Sequence, residues 1–149
     1  MKIAIIAPCP PPYGGIIRIV ENHLSLWPAD QIESHFVPMY APETPETPAG
    51  ATFVDLTTSK HEASFQMKVK YGAKLATQMP LTRFANAWRV ISYAAALELY
   101  VLNHNIDVIY AHELWPAGAV ANAVANRTGA ASVVVAYGES FGVIAEHRR

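Results

Sequence analysis

The sequence predicts a single α/β domain with a mainly parallel β-sheet and helices on both faces. Short apolar runs alternate along the chain with longer amphipathic segments, which is the pattern of strand–helix–strand units. The first run, Lys2–Pro8, is apolar nearly throughout, as expected of a strand buried on both faces. A chain of 149 residues with 52% hydrophobic and 15% charged residues suits one globular domain with a substantial core.

The elements can be placed from apolar periodicity and helix-breaking residues. After the first strand, a helix begins near Gly15 and ends at Pro28, with apolar side chains at helical spacing. The next predicted elements are a strand at 34–40, a proline-rich loop at 41–50, a strand at 51–58, helices at 60–79 and 83–103, a strand at 106–111, a helix from Pro116 to Arg127 capped by Gly129, and a strand at 132–137. The longest helix is expected to present one apolar face made of Phe84, Trp88, Ile91, Ala95 and Leu102.

Three polar or glycine-containing segments directly follow predicted strands. They are Pro8–Gly15, His112–Gly118 and Tyr137–Gly142. Ligands of open parallel sheets bind beyond the carboxyl ends of the strands, so we expect these segments to form the rim of one crevice. Gly14 and Gly15 would let backbone N–H groups approach a phosphate at the positive end of a helix dipole. The same glycines could instead form a tight turn with positive φ.

His112 is the strongest candidate for a reacting or hydrogen-bonding group. An imidazole at a strand end can donate to a substrate hydroxyl, polarise a leaving group or accept a proton, or it can cap the following turn. Glu113 is a candidate substrate contact or a favourable charge near a helix N-terminus. Tyr13 could close over a ligand or pack on its loop. Cys9 could act as a nucleophile with His112 as base, although a semi-buried thiol is the commoner role.

Several function classes are disfavoured. The glycine pair lacks G-x-G-x-x-G spacing and no Gly-Lys-Ser/Thr follows, which argues against NAD binding and ATP hydrolysis. The net charge of −1 argues against nucleic-acid binding. The histidines lack metal-ligand spacing, so no metal is expected. Ser140 lies at the centre of Gly138-Glu-Ser-Phe-Gly142, which has G-x-S-x-G spacing, but we do not assign it to a hydrolase triad. No secretory signal or apolar run of about 18 residues is present, so we expect a cytoplasmic protein.

Charge is distributed unevenly along the chain. Residues 60–89 contain several lysines and arginines but one acid, Glu62, whereas residues 30–59 contain acids and no lysine or arginine. Apolar residues are interleaved in the basic segment, namely Phe65, Met67, Val69 and Leu75. This segment could be an ordinary solvated helix face, or it could rest weakly on anionic lipid. Any membrane contact is therefore expected through Lys60–Arg89 at the inner face of the membrane.

Together these motifs resemble the N-terminal domain of GT-B glycosyltransferases, family 4 in particular. Met1–Pro8 and Pro11–Asn22 are similar to that family's first strand, glycine loop and first helix. Asp107–His112 is similar to its D-V-[IV]-x-[AS]-H segment, and Thr128–Gly138 to the next strand, which often ends in His-Gly or His-Asp. The resemblance covers nearly the whole chain and rests on the order and spacing of the motifs.

The resemblance implies a Rossmann-like three-layer fold and a retaining transfer of sugar from a nucleotide-sugar donor to a glycan, lipid-linked or small-molecule acceptor, without a cofactor. By this resemblance Gly14 and Gly15 would approach the donor diphosphate, and His112 would lie near the donor sugar. Further candidate substrate contacts are Tyr13, Glu113, Tyr137, Gly138 and Glu139. Tyr137 departs from the histidine that many members carry, which leaves a hydrogen-bonding phenol in its place.

The nucleotide-binding C-terminal domain of that family has no counterpart in the chain. Residues 1–149 are therefore expected to be the N-terminal, acceptor-side half of a longer enzyme, and to be inactive alone. Two other functions fit the same residues. A GT-B sugar-nucleotide epimerase would turn over nucleotide sugar without an acceptor. A non-catalytic Rossmann-like subunit of a split enzyme would co-purify with a second, nucleotide-binding chain.

Overall fold

The computed structural model describes residues 1–7, 14–40, 47–56, 62–77 and 87–137, and it confirms the predicted α/β fold. Five parallel strands form one sheet in the order β3-β2-β1-β4-β5. They are β1 (Lys2–Ile6), β2 (Glu33–Phe36), β3 (Thr52–Phe53), β4 (Val108–His112) and β5 (Ala131–Val135). The main helices are α1 (Gly14–Leu26), α2 (Phe65–Ala76), α3 (Ala87–His104) and α4 (Ala119–Thr128).

Strand β1 lies at the centre of the sheet and contributes to two separate cores. Ile3 and Ile5 pack with the apolar residues of α1 on one face, whereas Ala4 and Ile6 pack with those of α2, α3 and α4 on the other. The helices therefore form a layer on each side of the sheet, which is the three-layer arrangement of a Rossmann-like domain. Burial on both faces explains why the first strand reads as a continuous apolar run.

The residues that flank each helix determine where the helix begins and ends. Ser64 precedes α2 and its hydroxyl accepts a hydrogen bond from the Met67 N–H at 3.3 Å, so α2 begins later than residue 60. The sequence predicts an interruption of this helix at Gly72, but Gly72 lies within α2 and does not interrupt it. Gly129 ends α4 in the left-handed conformation, with φ of 82° and its N–H donating to the Ala125 carbonyl, as predicted.

The apolar face predicted for the longest helix is wrong in part. Ala95 is buried and Ile91 packs against the core, as predicted. The buried residues of α3 are Val90, Ser92, Tyr93, Ala94, Ala95, Ala96, Leu97, Glu98 and Val101. Trp88 and Leu102, which were expected on the buried face, are 55% and 51% exposed. The alanines in the middle of α3 make several faces equally apolar, so periodicity alone does not identify the one that packs. Phe84 lies outside the described residues. No helix of the described chain has the length and apolarity needed to cross a membrane.

A largely buried ion pair joins α3 to α4. The Glu98 carboxylate, 6% exposed as a residue, accepts hydrogen bonds from Nε and Nη2 of Arg127, each at 2.9 Å. Burial raises the pKa of Glu98, but its interactions with Arg127, Tyr71 and Lys70 together outweigh burial and lower that pKa overall. The Arg127 guanidinium also lies 5.4 Å from the ring of Tyr71 on α2. These contacts fasten three helices together, so we assign this cluster a structural role.

Gly118, in the irregular turn between β4 and α4, has no room for a side chain. An added Cβ would lie 2.7 Å from Cγ1 of Val134 and 2.8 Å from the Glu113 carbonyl oxygen. We expect Gly118→Ala to lower the free energy of unfolding by about 1–3 kcal/mol, because strand β5 or the turn must shift. Urea unfolding measures this loss, and Gly15→Ala is the control, since its Cβ would meet no described atom within 4 Å. Equal stability of the two variants would contradict the steric argument.

Candidate functional site

The strand order creates a topological switch point between β1 and β4. The chain leaves β1 for β2 through α1 on one face, and it reaches β4 from β3 through α2 and α3 on the other face. Helices on opposite faces diverge at such a point and leave a crevice beyond the carboxyl ends of the strands. The N-terminus of α1 and the end of β4 flank this crevice. The described part of each predicted rim segment, namely Gly14 and Gly15, His112–Gly118 and Tyr137, therefore lies at this edge of the sheet, where such folds bind ligands.

The glycine pair lies at the N-terminus of α1, as predicted. Helix α1 begins at Gly14, and Gly15 is exposed in its first turn. The φ of Gly15 is not positive, so the tight-turn interpretation does not apply to this residue. A Cβ at Gly15 would meet none of the described atoms within 4 Å, so the described part of the chain does not require glycine there. The close approach of a ligand is one physical reason for a missing side chain at a helix N-terminus.

His112 is the last residue of β4 and is fully buried among aromatic rings. Its Nδ1 lies 2.5 Å from the Tyr137 hydroxyl, and the two rings stack with centroids 6.1 Å apart. Tyr110 lies edge-on to His112 with centroids 4.9 Å apart. The His23 ring of α1 is 6.0 Å from that of His112, and its Nδ1 is 3.0 Å from the Tyr110 hydroxyl. We call His23, Tyr110, His112 and Tyr137 the ring cluster.

The surroundings of the ring cluster keep its central pair uncharged at neutral pH. Burial, with a smaller contribution from His23, lowers the pKa of His112 to about 4. Burial raises the pKa of Tyr137 to about 12, with contributions from Tyr110 and Glu113. Loss of water disfavours the charged form of each group. The pair is therefore a neutral imidazole and a neutral phenol, suited to hydrogen bonding with uncharged groups.

The second ring nitrogen of His112 lacks a protein partner. Its Nε2 atom is buried and has no hydrogen-bond partner among the residues that the structure describes. Leaving a buried polar atom unpaired costs about 1–3 kcal/mol. Such an atom in a native fold calls for an explanation, and a bound ligand is one. His112 can thus offer one hydrogen bond to a molecule in the crevice.

The backbone after His112 is held in an uncommon conformation. Glu113 has φ of 85° and ψ of 149°, a region that residues with a side chain rarely occupy. Its N–H donates to the Val135 carbonyl at 2.9 Å, and its carbonyl accepts from the Gly118 N–H at 3.0 Å. Helix α4 begins at Ala119, and Glu113 lies directly before the irregular helical turn Leu114–Gly118 that leads into it, so its charge–dipole role stays a prediction. The two backbone bonds fix the turn that follows His112.

Half of the ring cluster was not expected from the sequence. His23 and Tyr110 meet across 87 positions of the chain, and no local pattern encodes that contact. The sequence does contain one indication that His23 faces the sheet. His23 lies at helical spacing with Ile16, Val20 and Trp27 on the apolar face of α1. The candidates Cys9, Tyr13, Gly138 and Glu139 lie outside the described residues.

Neither a metal cluster nor a known relative identifies the site. Within the described ranges, no group of three His, Cys, Asp or Glu side chains is arranged to hold a metal ion. The chain matches no protein-family model and no curated protein. The candidate functional site is therefore defined by its chemistry, which is a buried neutral histidine hydrogen-bonded to a half-buried tyrosine beside the switch point.

Proposed function

We propose that this chain is the N-terminal, acceptor-side domain of a retaining glycosyltransferase that uses a nucleotide-sugar donor. The observation that carries the proposal is the buried, uncharged His112 beside the switch point, with an Nε2 that has no partner in the described structure. A neutral imidazole suits a sugar hydroxyl. The start of α1, with its glycine pair, suits the donor diphosphate because N–H groups and the helix dipole favour anions there.

The proposed chemistry follows from the leaving group. When the bond between the sugar and the nucleoside diphosphate breaks, negative charge develops on the departing phosphate. The N–H groups at the start of α1 would stabilise that charge without transferring a proton. His112 would hold the donor sugar while an acceptor hydroxyl attacks the anomeric carbon from the side that the phosphate leaves. The hydroxyl proton would pass to the departing phosphate, and the anomeric configuration would be retained. A separate nucleotide-binding domain would complete the site, and no resident metal or cofactor forms part of the proposal.

The proposal is tested by incubating the full-length protein with a panel of nucleotide sugars, with and without candidate acceptors. We expect nucleoside diphosphate release that depends on an acceptor, and a product with the anomeric configuration of the donor. Turnover without acceptor would indicate an epimerase instead. Inactivity combined with stable co-purification of a nucleotide-binding chain would indicate a subunit of a split enzyme.

Gly15→Ala is expected to separate donor binding from folding. Alanine favours helix by up to about 1 kcal/mol over glycine, so the stability of the variant should be unchanged or higher. The added methyl group would keep the diphosphate from the α1 backbone and weaken donor affinity roughly tenfold. Gly15→Asp would weaken it further through charge repulsion.

Calorimetric titration with the nucleotide sugar measures this loss of affinity. Asn22→Ala, at an exposed position further along α1, is the control. Full affinity in both Gly15 variants would contradict the assigned role of the α1 N-terminus.

We also propose that the protein is cytoplasmic and makes weak contact with the inner face of an anionic membrane through α2 and α3. Phe65 and Val69, one turn apart on α2, are 71% and 51% exposed, and Trp88 of α3 is 55% exposed. The Lys68 Nζ lies 6.0 Å from the Trp88 ring, which places a cation beside the apolar side chains. Lys70 and Arg89 are exposed nearby in the sequence. Apolar and aromatic side chains with basic neighbours suit the headgroup region.

Vesicle co-sedimentation is expected to show binding to phosphatidylcholine vesicles only when phosphatidylglycerol is included. Lys70→Ala should weaken that binding about fivefold, since one basic residue near an anionic surface contributes about 1 kcal/mol. Trp88→Ala should weaken it as well. Leu102→Ala is the control because Leu102 is similarly exposed on the same helix, about four turns from Trp88. Binding that is insensitive to Lys70 and Trp88 would contradict this membrane surface.

A further inference from the structure

We propose that Tyr137 is a positioning residue that holds His112 in the tautomer with hydrogen on Nε2, so that His112 presents an N–H donor to an acceptor oxygen of the ligand. Identifying that ligand as the donor sugar rests on the proposed function. The assignment of the tautomer does not, because it depends only on contacts within the ring cluster.

The count of hydrogens in the pair favours this tautomer. If the Tyr137 hydroxyl donates to Nδ1, its hydrogen is satisfied and only the Nε2–H remains without a partner among the described residues. If Nδ1–H donates to the phenol oxygen instead, both the Tyr137 hydroxyl hydrogen and the Nε2 lone pair are left without a partner among the described residues. Tyr137 is partly shielded from water, so the first arrangement, which leaves one group fewer without such a partner, is the more stable one.

The geometry of the ring cluster makes Tyr137 the hydroxyl that acts on His112. The rings of Tyr137 and His112 are close to parallel, at 18°, and Nδ1 points to the Tyr137 hydroxyl. Tyr110 also touches His112, but edge-on, and its own hydroxyl bonds to Nδ1 of His23. Tyr137 lies two residues beyond Val135, which pairs with His112 on the adjacent strand. The two tyrosines therefore differ in function although both border the same imidazole.

The protonation states agree with this arrangement. Burial raises the pKa of the Tyr137 hydroxyl to about 12, so the hydroxyl keeps the hydrogen that it donates. Burial lowers the pKa of His112 to about 4, so at neutral pH only one of its two ring nitrogens carries a hydrogen. With Nδ1 occupied as an acceptor, that hydrogen lies on Nε2. The crevice then favours a ligand with an oxygen acceptor at this position over one with an N–H donor.

Nitrogen NMR of the full-length protein labelled with 15N-histidine tests the tautomer directly, without substrate. We expect His112 to give a protonated Nε2 and an unprotonated Nδ1, with a coupling between the Tyr137 hydroxyl proton and Nδ1 across the hydrogen bond. In Tyr137→Phe the Nδ1 resonance should shift toward the protonated value as the second tautomer becomes populated. Tyr110→Phe is the matched control, since it removes a hydroxyl that bonds to His23, and it should leave the His112 tautomer unchanged.

A wild-type spectrum with hydrogen on Nδ1 would overturn the proposal without any variant. An unchanged Nε2–H tautomer in folded Tyr137→Phe would overturn it as well. In the sugar-transfer assay, Tyr137→Phe should lower kcat roughly tenfold and leave KM nearly unchanged, because the histidine is present but misdirected. If no sugar transfer is found, the proposed function fails while the NMR result still decides the tautomer.

Discussion

Replacing His112 by glutamine is expected to lower the kcat of sugar transfer by roughly a hundredfold or more, the scale seen when one preorganised donor is removed from a reaction centre. His112 is fully buried and its Nε2 has no partner within the described structure, so its hydrogen bond is available to the ligand. A glutamine amide fills much of the same space but cannot place its N–H at the same point. The loss should fall on kcat more than on KM, because the bond is worth most as the donor sugar reacts.

Glutamine is the informative replacement because His112 is buried. Alanine would leave a cavity within the ring cluster and would remove the hydrogen-bond partner of the Tyr137 hydroxyl. A loss of activity in that variant could therefore come from lost stability. The measurement is steady-state kinetics together with thermal unfolding of both variants. His104→Gln is the control, since His104 is an exposed histidine at the end of α3. An unchanged kcat with a lowered Tm would assign His112 to capping or packing alone.

The fold could be predicted because its signals are local. The apolar run of β1 and the glycine cap of α4 depend on residues next to one another, and both appear as expected. The packing of α3 could not be predicted, since its alanine-rich middle makes Val90 and Trp88 equally plausible core residues and only the position of the sheet selects Val90. Strand β3 is limited to Thr52–Phe53, because a strand's extent depends on the neighbour with which it pairs.

The candidate site likewise combines a feature that the sequence predicts with features that depend on tertiary contacts. The end of β4 could be identified from a polar residue after an apolar run, and His112 lies there. What makes His112 chemically unusual is its surroundings, and these come from α1 and from the residues after β5. The burial that lowers its pKa, the phenol at Nδ1 and the unpartnered Nε2 are all tertiary properties. The sequence is therefore enough to identify His112 as a candidate site residue, whereas the structure is needed to assign its charge and tautomer.

Acidification is expected to destabilise the protein through the same residue. The pKa of His112 is about 4 in the fold, mainly because of burial, against 6.5 for an ordinary histidine. The unfolded chain therefore binds a proton that the folded chain excludes, and stability falls as the pH drops from 6.5 toward 4. This difference in the pKa of His112 corresponds to about 3 kcal/mol in the free energy of unfolding. Most of this stabilisation is present above pH 6.5, and it is lost as the pH falls to about 4. His35, whose pKa is also lowered mainly by burial, acts in the same direction.

Urea unfolding at a series of pH values between about 7 and 4 measures this linkage, with the slope giving the difference in bound protons. His112→Gln should flatten the dependence over this range, and the part that remains should come largely from His35. Glu98, whose pKa is lowered from 4.5, should act only at the acid end, so its contribution can be separated from that of the histidines. Wild-type stability that is constant down to pH 4.5, or a slope identical in His112→Gln, would mean that His112 is hydrated and able to take up a proton. The same result would remove the support for an uncharged hydrogen-bonding group in the proposed site.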